Sequence, residues 1–188
     1  MAPYISTYIQ LLNNRYSVIC WDREGREETL ENCDTYVFRN EQKGSGTIKK
    51  IRGYFEYRKF VKKVLSENHF DVIILLQTWC AILLNDVLIK NYKGKYIVDI
   101  RDYTYEKYFP IKCIEKKTFK YAGMCVVSSE GYKEFLPDNE YFITHNLREL
   151  EDDVKSEIKT RNKKKERLKN ILFIFLKRSF AIHLNLNR

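Results

Sequence analysis

Short apolar runs alternate with longer amphipathic segments along most of this chain. Each run is rich in β-branched residues and stops at a polar residue, a pattern typical of parallel strands buried on both faces. The alternation predicts an α/β fold, a Rossmann-like parallel sheet with helices on both faces. The predicted strands are Tyr16–Cys20, Thr35–Arg39, Val72–Leu76, Tyr96–Ile100, Met124–Val127, Tyr141–Thr144 and Ile171–Leu176.

Segments of helical periodicity lie between the strands. The clearest is Ile48–Asn68. The residues of this segment that we expect to face inward are Ile51, Tyr54, Phe55, Val61, Val64 and Leu65. The other predicted helices are Met1–Asn14, Thr78–Asn91, Tyr103–Tyr121 with an interruption at Pro110, and a short one from Ser128-Ser129 to Pro137.

The composition favours a single domain with a short appendage, since the chain has 188 residues of which 44% are hydrophobic. Its five cysteines form no Cys-x-x-Cys pair, so we expect neither a zinc site nor a disulfide framework, and no cofactor. No secretory signal opens the sequence, and its apolar runs are far shorter than the roughly 20 residues that span a bilayer. We therefore expect a cytoplasmic protein, located at the inner face of the plasma membrane if it adheres to a surface.

Basic residues give the chain a net charge of +9, concentrated in Lys155–Lys169 and Lys49–Lys63. For Lys49–Lys63 we favour a solvated helix face, because its charges fall opposite its apolar stripe. The Lys163–Lys165 run predicts either a solvated linker or a peripheral contact with anionic lipid. Binding to nucleic acid is not expected, because the sequence lacks the patterns of the common nucleic-acid-binding motifs.

Polar residues follow several strands in an order that resembles a known family. Trp21-Asp22-Arg23 follows the first strand, Phe70–Ile73 (FDVI) opens a later one, and Asp99–Tyr103 (DIRDY) ends the next. Val126–Ser129 with Gly131-Tyr132, and then His145-Asn146, complete the series. Together they resemble the N-terminal domain of a GT-B glycosyltransferase, of the family-4 type found in capsule and exopolysaccharide gene clusters.

The resemblance implies transfer of a sugar from a nucleotide sugar to a glycan or a lipid-linked acceptor. In such enzymes the N-terminal domain holds the acceptor, the C-terminal domain holds the nucleotide sugar, and no metal is normally required. The expected partner of this chain is therefore the acceptor. A nucleotide-sugar donor is expected only if a second domain or a partner chain is present.

Compared with that family, the sequence lacks the opening strand, which is central in the usual sheet, and the donor domain. We expect an incomplete Rossmann-like domain at residues 1–147, a basic helix or linker at 148–170, and a remnant of the second domain or an aberrant tail at 171–188. Alternatively, Ile171–Leu176 folds back into the gap left by the missing strand. The predicted function is a glycosyltransferase fragment, inactive alone. The alternatives are a non-catalytic binding module and the acceptor-side subunit of a split enzyme.

The resemblance places candidate catalytic residues at Arg101 and Asp102. Many relatives have a histidine followed by an acidic residue at this point. Arginine is a permanent cation that cannot act as a base, but it can bind a phosphate or a carboxylate. Asp102 is expected to accept a hydrogen bond from an acceptor hydroxyl or to act as its base. The alternative for both residues is a structural ion pair or a helix cap.

Three further pairs of residues are candidates for binding the substrate. Gln77-Thr78 follow the most apolar strand and are expected to line the acceptor groove. Ser128-Ser129 are expected either to hold an anion or a sugar hydroxyl, or to cap the next helix. His145-Asn146 are expected either to line the cleft between two domains or to form a turn.

Overall fold

A computed structural model describes residues 16–23, 33–41, 46–101, 109–144 and 170–175 of the chain. The strands are β1 (Tyr16–Asp22), β2 (Asp34–Arg39), β3 (Val72–Leu75), β4 (Tyr96–Ile100), β5 (Met124–Val127), β6 (Tyr141–Ile143) and β7 (Ile171–Phe175). The helices are α1 (Thr47–Glu67), α2 (Thr78–Leu83), α3 (Asn85–Asn91) and α4 (Phe109–Lys120), and Glu130–Glu134 form a 3₁₀ turn.

All the strands belong to one parallel sheet in the order β2-β1-β7-β3-β4-β5-β6. Helices follow β2, β3 and β4 before the chain returns to the next strand. This architecture confirms the predicted α/β, Rossmann-like fold. The apolar runs located the inner strands well because β1, β3 and β4 are buried along most of their length and therefore carry little polar alternation.

The central position of the sheet is occupied by β7, which pairs with β1 on one side and with β3 on the other. Phe173 lies opposite both Val18 and Ile74. Just before the strand, the Asn170 amide donates to Oδ2 of Asp71 at 3.0 Å. The alternative in which the run at residues 171–176 folds back into the sheet is therefore confirmed for Ile171–Phe175. The division of the chain at residue 147 stays a prediction.

Two apolar clusters cover the two faces of the sheet. The larger one joins strand residues such as Ile73 and Leu172 to residues of all four helices, among them Tyr57 and Leu88. The second cluster comprises Val18, Cys20, Ile74, Leu76, Ile171 and Phe173. Of the described part of the chain, the helices contribute to the larger cluster only. The predicted helix Met1–Asn14, and all of the segment at residues 148–170 except Asn170, lie outside that part.

The orientation of α1 differs from the prediction in its first half. Ile51 and Phe55 were expected to face inward, but they are 52% and 56% exposed, whereas Tyr57 is fully buried. The 21 residues of α1 make a helix about 32 Å long, while the 6 residues of β2 span only about 20 Å. The first turns of α1 therefore extend past the carboxyl ends of the strands, where the sheet offers no surface to cover them.

The predicted helix Thr78–Asn91 is two helices, because the chain breaks at Leu84 between α2 and α3. Asn85 stabilises the break by donating from Nδ2 to the carbonyl of Ile82 at 2.7 Å. Pro110 lies in the first turn of α4, where the missing amide hydrogen leaves no helical hydrogen bond unmade. The predicted interruption at this proline thus falls at the start of the helix as the structure describes it.

Candidate functional site

The carboxyl ends of the strands form the edge of the sheet that carries the candidate site. From β7, the sheet extends to β1 and β2 on one side and to β3, β4, β5 and β6 on the other. In open α/β sheets, ligands bind outside the carboxyl ends of the strands where the order changes direction. Arg23 and Gln77-Thr78 follow the two neighbours of β7, while Arg101 and Ser128-Ser129 follow strands farther along.

The turn from β3 into α2 is strained at Gln77. Its φ of 153° and ψ of 141° lie in a region favoured by glycine, and within the described ranges it is the only non-glycine residue with a positive φ. Such a conformation costs about 1–3 kcal/mol and tends to occur at functional sites. The strain allows α2 to begin directly after the central part of the sheet. Gln77-Thr78 thus lie at the start of α2, just after a neighbour of the central strand, and their role in binding stays a prediction.

Thr78 is the first residue of α2 and is only 8% exposed. Its Oγ1 atom is buried, and no hydrogen-bond partner for it occurs in the described part of the chain. A buried hydroxyl without a partner costs about 1–3 kcal/mol. Thr78 thus places an uncompensated hydrogen-bonding group beside the strained residue.

Arg101 is held in a buried ion pair. Its Nε lies 2.5 Å from Oδ1 of Asp99, and the two side chains are 8% and 0% exposed. The other guanidinium nitrogens donate to the carbonyl and hydroxyl oxygens of Thr144 at 3.3 and 3.0 Å. The structural ion pair that the sequence left open as an alternative is therefore present. Asp102, the other catalytic candidate, lies outside the described residues.

Ser128 and Ser129 follow β5, next to the end of β4. Ser128 is half-buried and Ser129 is exposed. Ser129 occupies the cap position of the 3₁₀ turn, but its side chain makes no capping hydrogen bond there. Tyr132 in this turn donates from its hydroxyl to the Arg101 carbonyl at 2.8 Å, which links the two strand ends. The pair His145-Asn146 lies outside the described residues.

Arg23 is a candidate that the sequence prediction did not include among the site residues. It follows β1, and its guanidinium lies 4.0 Å from the ring centroid of Trp21 and 5.2 Å from that of Tyr54. The ring of Tyr54 also contacts Trp79 in α2, at 5.9 Å between centroids. Arg23 and the first turn of α2 therefore share an aromatic neighbour. The signal in the sequence was the Trp-Asp-Arg triplet at a strand end.

Trp21 itself belongs to the core. It is 2% exposed, stacks with Tyr57 at 5.4 Å between centroids, and donates from Nε1 to the Asn40 carbonyl at 3.0 Å. A tryptophan buried in this way does not offer a face for stacking with a sugar. It serves instead as the surface on which the Arg23 guanidinium rests.

Cys80 in α2 is fully buried, and burial raises the pKa of its thiol well above the usual range although the charge of Arg23 opposes this shift. The thiol therefore stays protonated at neutral pH and is not a nucleophile. Around the turn after β3, Thr78 offers a hydroxyl and Gln77 an amide, while Arg23 shares the neighbour Tyr54 with α2; these groups suit recognition of a polar ligand. The described residues include no cluster of three or more side chains suited to hold a metal ion.

None of the described helices is long and apolar enough to cross a bilayer. Comparison of the chain with protein-family models, with curated proteins and with solved structures found no match.

Proposed function

We propose that this chain is the acceptor-binding half of a glycosyltransferase that uses a nucleotide sugar. Its parallel sheet and the order of its polar strand ends support this proposal. The observation that carries it is the strained Gln77-Thr78 turn beside the central strand, with a buried hydroxyl that lacks a partner in the described ranges. A ligand rich in hydroxyl groups satisfies such a site by donating to and accepting from it.

In this proposal Gln77, Thr78 and Ser128 hold hydroxyl groups of the acceptor glycan. Asp102 follows β4 in the sequence and is proposed as the base for the reacting hydroxyl. Arg101, fixed by Asp99, is a positioning residue that holds the end of β4. The donor nucleotide sugar binds a second domain or a partner chain, so the described half alone transfers no sugar.

Calorimetric titration of the full chain with neutral and uronic-acid-containing oligosaccharides tests the proposal. We expect saturable binding that weakens about tenfold in Thr78→Val, which corresponds to one lost hydrogen bond. The matched control is Thr118→Val, because Thr118 is also buried but its Oγ1 already donates to the Ile114 carbonyl at 2.7 Å. Absence of saturable saccharide binding, or equal weakening in the control, would contradict the proposal. Binding without any transfer when donor-domain partners are added would favour the non-catalytic module.

The exposed first half of α1 supports a peripheral contact with a membrane as part of this function. Ile48, Ile51 and Phe55 recur at helical spacing and are 85%, 52% and 56% exposed. The helix carries seven basic and two acidic residues. Apolar side chains flanked by lysines favour an anionic bilayer surface over a nucleic acid, to which aliphatic side chains add little. We propose that this stripe rests on anionic lipid near a lipid-linked acceptor.

Sedimentation with phosphatidylglycerol vesicles, compared with phosphatidylcholine vesicles, tests the membrane contact. We expect the full chain to bind the anionic vesicles only, and to lose this binding when Ile48, Ile51 and Phe55 are all changed to serine. Phe142→Ser is the control, because Phe142 is also exposed but lies on the edge strand β6. Equal binding of the triple variant, or a wild-type chain that self-associates or retains duplex DNA through this stripe instead, would contradict the proposal.

A further inference from the structure

The guanidinium of Arg23 carries two buried nitrogens, Nε and Nη2, that have no hydrogen-bond partner in the part of the chain that the structure describes. Arg101 has the opposite environment, since its Nε, Nη1 and Nη2 all donate to protein oxygens. Arg23 and Arg101 thus both follow strands at the carboxyl ends of one sheet. Of the two, only the guanidinium of Arg101 has hydrogen-bond partners on all its nitrogens in the described part of the chain. The difference lies in the surroundings and not in the residue type.

The aromatic neighbours of Arg23 account for its position but not for its hydrogen-bonding needs. A cation over an aromatic face gains a modest electrostatic attraction. This attraction acts through the plane of the guanidinium, whereas its N–H donors point outward along the edge. Leaving the buried N–H donors of this half-buried cation unmet is more costly than that attraction is favourable. Stacking on Trp21 therefore leaves a large part of the cost uncompensated.

We propose that Arg23 binds an oxyanion of the ligand, a phosphate or a carboxylate, through its Nε–Nη2 edge. These two nitrogens lie on the same side of the guanidinium and present parallel N–H groups, the geometry that an oxyanion matches in a bidentate pair. Trp21, Tyr57 and Cys80 around it are 2%, 0% and 0% exposed. Such apolar surroundings strengthen a charge-assisted hydrogen bond relative to one in water.

This inference gives the acceptor of the proposed function a chemical class, and to that extent it rests on the proposed function. The acceptor is acidic, with its anionic group at Arg23 and its hydroxyl groups toward Gln77 and Thr78. Tyr54 contacts both Arg23 and Trp79 and so lies between these two parts of the site. A phosphate and a carboxylate satisfy the same edge, so the experiment must separate them.

Calorimetric titration of the full chain with inorganic phosphate and with glucuronate, against chloride at matched ionic strength, is the direct test. We expect saturable binding of one or both oxyanions and none of chloride. Binding of phosphate alone assigns a phosphate group, and binding of glucuronate alone assigns a carboxylate. Arg23→Lys should weaken binding at least about tenfold, since an ammonium keeps the charge but loses the bidentate edge. Arg23→Met should abolish it.

Arg39→Met is the matched control, because Arg39 is an exposed arginine at the end of the neighbouring strand β2. It should bind the anions as the wild type does. Absence of saturable binding of both oxyanions by the wild type, or full retention of binding by Arg23→Met, would overturn the inference. A fourth titration, with maltotriose, separates the proposed acceptor-binding function from the proposed anion site at Arg23. If the chain binds the neutral sugar but neither anion, the proposed function survives and this inference fails. If it binds phosphate but neither maltotriose nor glucuronate, the proposed function fails and only the anion site at Arg23 remains.

Discussion

Arg101 and Asp99 form a buried ion pair at the end of β4, with 2.5 Å between Nε and Oδ1. The two residues are separated by one position, so their side chains lie on the same face of the extended chain. Asp99 is 0% exposed, which makes an uncompensated carboxylate at this position very costly. The need to neutralise Asp99 therefore explains why an arginine follows β4. It also predicts that loss of this arginine lowers the free energy of unfolding.

Arg101→Met should destabilise the protein by about 3–5 kcal/mol, because it leaves the Asp99 carboxylate buried without its cation. Urea denaturation followed by circular dichroism measures the change. Arg23→Met is the informative comparison. Arg23 is half-buried and two of its buried nitrogens lack a hydrogen-bond partner in the described ranges, so its removal should leave the stability unchanged or raise it. A similar loss in both variants would contradict the different roles assigned to the two arginines.

Removal of β7 should abolish the fold, because the sheet would lose its central strand and the partner of both β1 and β3. We expect a chain that ends at residue 169 to be insoluble or unfolded, with exposed strand edges. A chain that ends at residue 177 keeps β7 and is the control. Within the strand, Phe173→Ala should cost about 3–5 kcal/mol, since Phe173 is fully buried. Cooperative unfolding of the shorter chain at wild-type stability would refute this account of the sheet.

The strain at Gln77 predicts opposite effects on stability and binding. Gln77→Gly should raise the free energy of unfolding by about 1 kcal/mol, because glycine adopts the observed backbone angles without the 1–3 kcal/mol cost. Gln77→Ala keeps the strain and removes the side chain beyond Cβ together with its amide, so its stability should match the wild type. Both variants should bind oligosaccharides more weakly. If Gln77→Gly is less stable than Gln77→Ala in thermal denaturation, the turn is not strained.

The pH dependence of stability should include a contribution from Asp86. Partial burial raises the pKa of its carboxyl, but hydrogen bonds from Lys62 and the Val87 backbone and the charge of Arg58 outweigh this and lower it. A lowered pKa stabilises the folded state above the unfolded value of about 3.9, and the contribution disappears as pH falls through the folded value. Because the Asp86 side chain is 45% exposed, the contribution at neutral pH should be under about 1 kcal/mol.

Asp86→Asn should therefore be slightly less stable than the wild type at neutral pH and equally stable in strong acid. Glu67→Gln is a control. Glu67 is an exposed residue at the C-terminal end of α1, and its carboxylate pairs only loosely with Lys63, at 3.8 Å. Urea denaturation over a range of pH measures both. A difference between Asp86→Asn and the wild type that persists below the folded pKa would assign the effect to packing and not to charge.

The strands and the parallel sheet could be predicted from the sequence because apolar runs such as Tyr96–Ile100 report burial on both faces. The central place of β7 was open, because its pairing depends on strands about 100 residues away in the chain, such as Val72 against Ile171. The inward face of α1 was wrong at Ile51 and Phe55, since periodicity shows which residues share a side but not where the sheet beneath them ends.

The roles of the site residues, too, could be predicted only in part from the sequence. Arg23 and Arg101 both follow a strand, and the sequence gives no reason to treat them differently. Only the folded chain brings Thr144 to Arg101 and Tyr54 to Arg23. Local sequence therefore predicted that the polar strand ends gather at one edge. Which of them are satisfied by the protein, and which are left to meet a ligand, depends on contacts between distant residues.

The most direct test of the central claim is to map the binding site of a uronic-acid-containing oligosaccharide on the full ¹⁵N-labelled chain by nuclear magnetic resonance. Saturable shifts should concentrate on the amides of Gln77, Thr78 and Ser128 and on the Nε–H signal of Arg23. This result would place the acceptor at the carboxyl edge beside the central strand. Saturable shifts confined to α1, or no shifts at concentrations where calorimetry shows binding, would contradict the claim.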